Sequence, residues 1–517
     1  MENSLSNKKQ KQLIINIIAS FVAFAVNMGI NFFLSKYIVK NVGSEAYGFV
    51  QLANNLLTYF TILTIALNTM SSRFISVELF KGEIDEANEY FSSTFFANLF
   101  LVIILFPIIV FGIIFLDKII KISPNLVVDV KVLMIFMAVD FIISLLCTNL
   151  SISYYVKNKL YISSMISIAS YVIRATLLFG LFACFKANII FIGLVTLIIT
   201  CFNQAMNIFY KKKMIPNLVI KKKYFHIDKV KEMISSGIWN TITRIGSLLQ
   251  EGLDLLITNI FISPTDMGIL AIAKIVPNTI NNILNTLIST FLPEITELYA
   301  KEKYDELVNA IKRSMNIIGM IINIPIAILI VYGDVLFSLW FPTQNAKLIQ
   351  LLSIITIFPW AIMGQATIIH NVFTVLNKIK INSILVCITG MLNVGIVFVL
   401  LKTTSLGLFA VAGVSTILSI ARNLAYTVPY GAKYIGKKWY TFFPEILKSI
   451  VCVIVISIVG YVIRIFMGKE SWSMLFCFTI ITSMIGFIIN YYIVLNKNDR
   501  KFLEQKIKKS IKKLINK

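Results

Sequence analysis

The sequence predicts an all-α polytopic membrane protein with about 14 transmembrane helices. Of its 517 residues, 57% are hydrophobic and only 14% are charged, which is too apolar for a water-soluble chain of this length. The apolar residues form runs of about 20 residues or more, long enough to cross a bilayer as helices. The connections between the runs are short, so we expect no soluble domain.

The apolar runs define the predicted spans in chain order. The first run is too long for the core of a signal peptide and lacks a small-residue cleavage motif, so we expect a retained span. Clusters of polar and charged residues separate the later runs. The predicted spans are residues 13–35, 46–69, 92–117, 130–155, 161–184, 188–209, 234–260, 267–292, 314–341, 348–376, 380–401, 406–430, 441–467 and 472–495.

The basic residues predict the orientation of the chain. With the N-terminus inside, 32 of the 48 lysine and arginine residues fall in inward-facing connections and the tail, 8 fall in outward-facing connections, and 8 lie within the predicted spans. The positive-inside rule therefore places both termini in the cytoplasm and the protein in the cytoplasmic membrane. We interpret the basic tail as a solvated helix near anionic lipid, and we expect no nucleic-acid partner.

An internal repeat with an offset near 220 residues organises the spans. Ser44–Phe49 precedes span two and resembles Thr265–Ile269 before span eight, and Glu78–Glu86 resembles Glu297–Glu306. Six spans per repeat make the halves parallel repeats, which commonly enclose a central binding cavity. The predicted domains are an N-lobe (1–210, spans one to six), a basic cytoplasmic linker (211–233), a C-lobe (234–430, spans seven to twelve), two added spans (431–495) and a basic cytoplasmic tail (496–517).

Span seven carries polar residues at helical spacing. At about 100° per residue, six of them fall within about 80° of one helical face. A charged residue that faces lipid costs about 3 kcal/mol, so this face should line a wet cavity or meet partners in a bundle. Such a layout is typical of a transporter for a polar or charged substrate. The six are Asn240, Arg244, Ser247, Glu251, Asp254 and Thr258.

Two segments near the N-terminus resemble a known family. Tyr37–Gly48 resembles the first-loop signature of bacterial polysaccharide-unit flippases, members of the multidrug/oligosaccharidyl-lipid/polysaccharide (MOP) exporter superfamily. Ser72–Glu78, with Gly82 and Asn88–Phe91, is similar to the first cytoplasmic loop of that family. The resemblance implies two six-helix lobes around a cavity that alternates between membrane faces. It also implies a substrate of undecaprenyl-pyrophosphate-linked oligosaccharide, moved to the outer leaflet.

The polar residues of the spans supply candidate substrate contacts. Fixed positive charge suits a pyrophosphate, and asparagine amides suit sugar hydroxyls because both donate and accept hydrogen bonds. The candidate cations are Arg244, Lys274, Arg174 and Arg422, and the candidate amides are Asn240, Asn278, Asn281 and Asn285.

The acidic candidates leave alternatives open. Glu251 and Asp254 could pair with Lys274 or Arg244, or could bind a coupling proton or sodium ion. Snorkelling to the interface competes for Lys274. The remaining candidates for ion coupling are Asp140, which could instead form a structural ion pair with Arg174, and His370.

Several other functions are disfavoured by missing motifs. The sequence lacks the G-x-x-x-x-G-K-[ST] phosphate loop and the H-E-x-x-H motif, and its six cysteines show no C-x-x-C spacing. We therefore expect no catalytic residues, metal or cofactor.

A membrane glycosyltransferase or polysaccharide polymerase would need a larger outward loop, so we expect a transporter and not an enzyme, although such enzymes could be partners. Closer alternatives are a peptidoglycan lipid-precursor flippase or a multidrug cation antiporter. Arginine and lysine beside asparagine favour an anionic glycolipid.

The charge asymmetry gives a test of topology. Reporter fusions at Lys222 and at the C-terminus should both be cytoplasmic, and a fusion after Pro264 should be external, because basic connections stay inside. The reporters are alkaline phosphatase and green fluorescent protein, which are active on opposite sides of the membrane. An external signal at Lys222 or at the C-terminus would overturn the fourteen-span topology.

Overall fold

The computed structural model describes residues 2–376, 378–495 and 500. Within these ranges all the regular secondary structure is helical. The predicted basic tail, residues 496–517, lies outside the described residues apart from Arg500.

The helices follow the apolar runs of the sequence. Short π-helical turns at Leu248–Gly252 and Asn423–Thr427 interrupt two of the spans, and a 3₁₀ turn occupies Lys222–Tyr224. The α-helices are α1 (Glu2–Val42), α2 (Ser44–Lys81), α3 (Ile84–Ile114), α4 (Leu116–Ile119), α5 (Val127–Leu146), α6 (Ile152–Val156), α7 (Leu160–Cys184), α8 (Ile189–Met214), α9 (Ile227–Ser247), α10 (Asp254–Phe261), α11 (Pro264–Ala273), α12 (Ile275–Ala300), α13 (Tyr304–Trp340), α14 (Ala346–Ala366), α15 (Ile368–Val375), α16 (Ile379–Thr403), α17 (Leu408–Arg422), α18 (Val428–Tyr434), α19 (Phe443–Ile465) and α20 (Trp472–Ile493).

The all-α polytopic fold class is confirmed. Eleven helices in the described ranges are long and apolar enough to cross a membrane, or twelve when the bent pair α11 and α12 is taken as one span. Two further predicted spans are not included in this count. One is α5, which carries the charged residues Asp129, Lys131 and Asp140, and the other is span seven, which a π-helical turn divides. The predicted count of fourteen is compatible with these elements.

The chain forms two compact units. Unit 1 comprises the residues up to Leu248 together with Leu255–Gly268, and unit 2 comprises Leu249–Asp254 and the residues from Ile269 onward. The division falls inside predicted span seven and again in α11, so short pieces of chain cross from one unit to the other.

In unit 1, a single glycine separates the first two helices. The sequence analysis leaves residues 36–45 as a connection, but α1 continues to Val42 and α2 begins at Ser44. Gly43 between them has φ of +87°, a left-handed conformation that glycine adopts without steric cost. A single residue therefore separates α1 from α2, and the predicted ten-residue connection is almost entirely helical.

Glycines also allow helices of unit 1 to approach α2 very closely. A Cβ atom on Gly237 of α9 would lie 2.4 Å from the carbonyl oxygen of Ala66, and one on Gly268 of α11 would lie 2.3 Å from that of Ser44. Small residues are enriched at such crossings because they let helix backbones meet without intervening side chains. The sequence therefore fixes which faces of α9 and α11 pack on α2.

In unit 2, α13 is the most enclosed helix and packs against α12, α14, α19 and α20. The added spans α19 and α20 are hydrogen-bonded to it: Asn323 of α13 donates to the side-chain oxygen of Asn490 at 3.1 Å and accepts from Ser449 at 2.5 Å. Near the other end of α13, Asp334 receives both terminal nitrogens of Arg464, at 2.8 and 2.7 Å. These polar contacts fix the register of the C-terminal helices.

The glycine crossing predicts a size limit at position 237. Gly237→Ala should lower the free energy of unfolding by about 1–3 kcal/mol, because the new methyl group overlaps the α2 backbone and the helices must separate. Gly180→Ala on α7, where an added Cβ meets nothing within 4 Å, is the matched control. Thermal stability in detergent measures both, and equal behaviour of the two variants would contradict the close crossing.

Candidate functional site

The candidate site is built around the π-helical turn of span seven. A π-turn bonds residue i to i+5, so it inserts an extra residue and leaves carbonyl groups without their usual partners. Asn393, a fully buried residue of α16, donates its amide to the carbonyl oxygens of Leu249 at 3.2 Å and Gln250 at 3.0 Å. The break in the helix is therefore stabilised by one side chain from a neighbouring span.

Gln250 links this turn to α17. Its amide nitrogen donates to the carbonyl oxygen of Ser415 at 3.3 Å, and its amide oxygen accepts from a terminal nitrogen of Arg422 at 2.9 Å. The same nitrogen of Arg422 lies 3.3 Å from the hydroxyl of Thr389 on α16. Gln250 is only 3% exposed, so the amide that accepts a hydrogen bond from the Arg422 guanidinium is buried within unit 2.

Lys274 and Asp254 form a buried ion pair in unit 2. Asp254 is 2% exposed, and the ammonium also donates to the carbonyl oxygen of Glu251 at 3.3 Å. Lys274 stands where α11 and α12 meet at an angle of 41°, so the pair joins two breaks in helices. Pairing of Lys274 with Asp254 is one of the arrangements that the sequence left open.

The six polar residues of span seven do not share one face. Arg244 and Glu251 are exposed, whereas Asp254 and Thr258 are buried. The expected common face assumed a regular helix, and the π-turn at Leu248–Gly252 inserts an extra residue that rotates the later residues relative to the earlier ones. Arg244 belongs to unit 1 and forms no ion pair with any described residue.

The candidates of unit 1 do not form the ion pair considered from the sequence. Arg174 on α7 and Asp140 on α5 are both half-buried and are not paired with each other. Asp140 lies near Thr200 on α8, and Arg174 lies close enough to Tyr47 to interact with it electrostatically. The Nε atom of Arg174 is enclosed without a hydrogen bond.

The remaining candidates differ in exposure. On α12, Asn278 and Asn285 are exposed, and Asn285 donates to the side-chain oxygen of Asn281 at 3.0 Å. Asn240 is half-buried on α9. His370 is half-buried on α15, with its ring 6.0 Å from that of Phe373. Over the described part of the chain, no three His, Cys, Asp or Glu residues are grouped to hold a metal ion.

The sequence reasoning missed the residues that stabilise the helix break. Gln250, Thr389 and Asn393 were not among the predicted site residues. Gln250 stands directly before Glu251 and lies outside the spacing of the predicted polar face. Asn393 is an isolated amide in an apolar span, and such a residue must find a hydrogen-bond partner inside the bundle. That rule could have marked Asn393, but not its partners.

The fold is shared with membrane flippases and transporters. The chain is similar to the inward closed conformation of the Lipid II flippase MurJ, with a TM-score of 0.62 and 14% identity over 92% of this chain and 98% of that one. It is also similar to an inward-facing multidrug resistance MATE family transporter of the MOP superfamily, with a TM-score of 0.59 and 13% identity over 82% and 98% of the two chains. At these identities the likeness establishes the fold.

The sequence comparisons identify the family. The model of the polysaccharide biosynthesis protein family matches residues 13–299, so the chain belongs to that family, and the resemblance read from residues 37–91 is confirmed. A relative in Bacillus subtilis (strain 168), the uncharacterized membrane protein EpsK, is 25% identical over 496 residues, covering 96% of this chain and 98% of that one. The chain is a multi-pass membrane protein of the polysaccharide biosynthesis family, and its fold is one that flippases and transporters also have.

The buried ion pair gives a prediction for stability. Asp254→Asn and Lys274→Met should each destabilise the protein by about 3–5 kcal/mol, because each leaves one uncompensated charge inside unit 2. The double variant Asp254→Leu/Lys274→Met should regain most of that stability. Thermal denaturation in detergent measures all three, and a fully stable Asp254→Asn variant would contradict a structural role for the pair.

Proposed function

We propose that this protein moves undecaprenyl-pyrophosphate-linked oligosaccharide repeat units from the cytoplasmic to the outer leaflet of the cytoplasmic membrane by alternating access. Membership of the polysaccharide biosynthesis family supports a saccharide cargo. The shared fold with a lipid flippase supports movement of a lipid-linked molecule across the bilayer. The observation that supports an anionic substrate is that Arg244 is exposed and forms no ion pair with any described residue.

Arg244 differs from the other candidate cations in its availability. Lys274 is neutralised by Asp254, Arg422 is held by Gln250, and Arg174 is half-buried beside Tyr47. Arg244 is exposed on α9 and forms no ion pair within the described chain. A guanidinium that is not neutralised by the protein suits a pyrophosphate, which offers it several oxygen acceptors.

Amide side chains are the proposed contacts for the saccharide. Asn240 lies one helical turn before Arg244, and Asn278 and Asn285 are exposed on α12. Each amide both donates and accepts, as do sugar hydroxyls. Amides are therefore suited to a saccharide of varied composition, while the cation supplies the recognition of the lipid pyrophosphate that every repeat unit shares.

Coupling to an ion gradient is assigned to the acidic residues of unit 2. Glu251 is exposed on the π-helical turn, and its carbonyl group contacts Lys274. We propose that Glu251 and the Asp254–Lys274 pair respond to a proton or sodium ion, and that Asp140 and His370 are weaker candidates. A polysaccharide polymerase and glycosyltransferases are the proposed functional partners.

Transport in vesicles separates this proposal from its alternatives. The purified full chain is reconstituted with a fluorescent undecaprenyl-pyrophosphate oligosaccharide, with a peptidoglycan lipid precursor, or with ethidium as a drug cation. In vesicles we expect movement of the oligosaccharide lipid alone. In cells, deletion of the gene should cause repeat units to accumulate on the cytoplasmic face of the membrane. Movement of ethidium alone would favour the multidrug cation antiporter, and movement of the peptidoglycan precursor alone the other flippase.

Substitution of Arg244 tests the proposed pyrophosphate contact. Arg244→Lys should retain partial export, whereas Arg244→Gln and Arg244→Ala should abolish it while the protein still accumulates in the membrane. Loss of a charge-assisted contact is worth about 2–3 kcal/mol, or roughly 30- to 150-fold in affinity. The measurement is the amount of repeat units at the outer face, relative to the amount of protein.

Arg73 provides the matched control, since it is an exposed arginine of α2 in the same unit. Arg73→Gln should export normally. If Arg244 had a structural role instead, Arg244→Ala would reduce the amount of protein, and removal of an acidic partner would restore it. Normal export by a well-expressed Arg244→Gln variant would exclude the substrate role.

A further inference from the structure

Lys211, in the last turn of α8, is a buried lysine of unit 1 that has no carboxylate partner among the described residues. The residue is only 9% exposed. Its ammonium forms no ion pair or hydrogen bond with any described residue and lies 5.5 Å from the centre of the Phe91 ring. We propose that this ammonium binds the phosphate of an anionic phospholipid at the membrane surface.

Other partly buried ammonium groups in the same unit are neutralised. Lys229 pairs with Glu86, and Glu89 lies 3.6 Å from it. Lys131 pairs with Asp117 at 2.5 Å. A partly buried charge is stabilised by a compensating charge, and within the described chain Lys211 has only an aromatic face and the carbonyl end of its own helix, both of which interact weakly with a cation. An external anion would supply what the protein does not.

The walls of this site are fixed by hydrogen bonds. The segment after α8 returns along α3, where the backbone nitrogen of Val219 donates to Asn88 at 2.7 Å and that of His226 donates to Ser93 at 2.9 Å. Leu218, in the same segment, is fully buried in the apolar cluster that contains Phe91. The site is therefore formed by ordered elements, and its apolar part encloses the stem of Lys211.

The position of Lys211 along α8 favours a lipid as the source of the phosphate. α8 has the length and composition of a membrane span. Ile208 and Phe209 are exposed immediately before Lys211, and Lys212 and Lys213 are exposed immediately after it. This order, from exposed apolar side chains to ammonium groups, matches the order from acyl chain to headgroup phosphate. The inference is independent of the identity of the transported substrate.

Lipid retention tests the site. The full chain is reconstituted with phosphatidylglycerol or phosphatidylcholine, extracted mildly, and examined by native mass spectrometry for bound lipid. Lys211→Met keeps the apolar stem and should weaken phosphatidylglycerol retention about tenfold, whereas Lys211→Arg should preserve it. The matched controls Lys212→Met and Lys213→Met should change it less than twofold, because those ammonium groups are exposed. Equal retention by Lys211→Met and wild type would overturn the proposal.

A second measurement uses the unaltered protein and so does not depend on a variant that folds. Amine-reactive labelling, read by peptide mass spectrometry, should modify Lys211 several-fold more slowly in phosphatidylglycerol than in phosphatidylcholine, with Lys212 as the internal reference. Inorganic pyrophosphate is added in a third arm. Protection by pyrophosphate without protection by phosphatidylglycerol, or equal labelling in both lipids, would overturn a phospholipid site.

Discussion

The need to satisfy every backbone polar group inside an apolar environment governs the candidate site. A regular helix does this alone, but a helix with a π-turn does not. In span seven the carbonyl groups of Leu249 and Gln250 need partners outside the helix, and the side-chain amide of Asn393 donates to both of them. The turn is thereby locked to α16, and Gln250 is directed toward Arg422. The position of a guanidinium on α17 thus depends on a break in a helix more than 150 residues earlier in the chain.

The same constraint distinguishes two of the charged sites in the spans. Asp254 and Lys274 are enclosed and neutralise each other, and such a pair contributes little net stability while its disruption is costly. Arg244 is exposed and is not neutralised by the described chain. Under the proposed function both kinds of charge have a use, because the enclosed pair preserves the fold when the cargo is absent and the exposed guanidinium can bind an anionic cargo.

The sequence predicted the class and the family well, and the local geometry of the site less well. Apolar length and short connections suffice to predict helices, because only apolar runs can face lipid. The prediction that Arg244 and Asp254 share one helical face was wrong, because a π-turn leaves no signal in the spacing of residues and rotates every later residue of the helix. Gln250 was missed for the same reason. The long helical connection around Gly43 was missed because hydropathy marks where a span leaves the apolar layer, not where its helix ends.

The internal repeat acquires a physical meaning in the packing of α2. Gly48 and Gly268 stand 220 residues apart, at matching positions of the repeat, and a Cβ on Gly48 would lie 2.8 Å from the Cα of Gly268. When a position contacts its equivalent in the other repeat, as at an isologous interface, the same kind of side chain enters the contact from both sides. Any side chain at that position therefore takes up space on both sides of the contact, and glycine takes up the least. Ser44–Phe49 and Thr265–Ile269 share little else, but both carry glycine at this contact, where two side chains would meet.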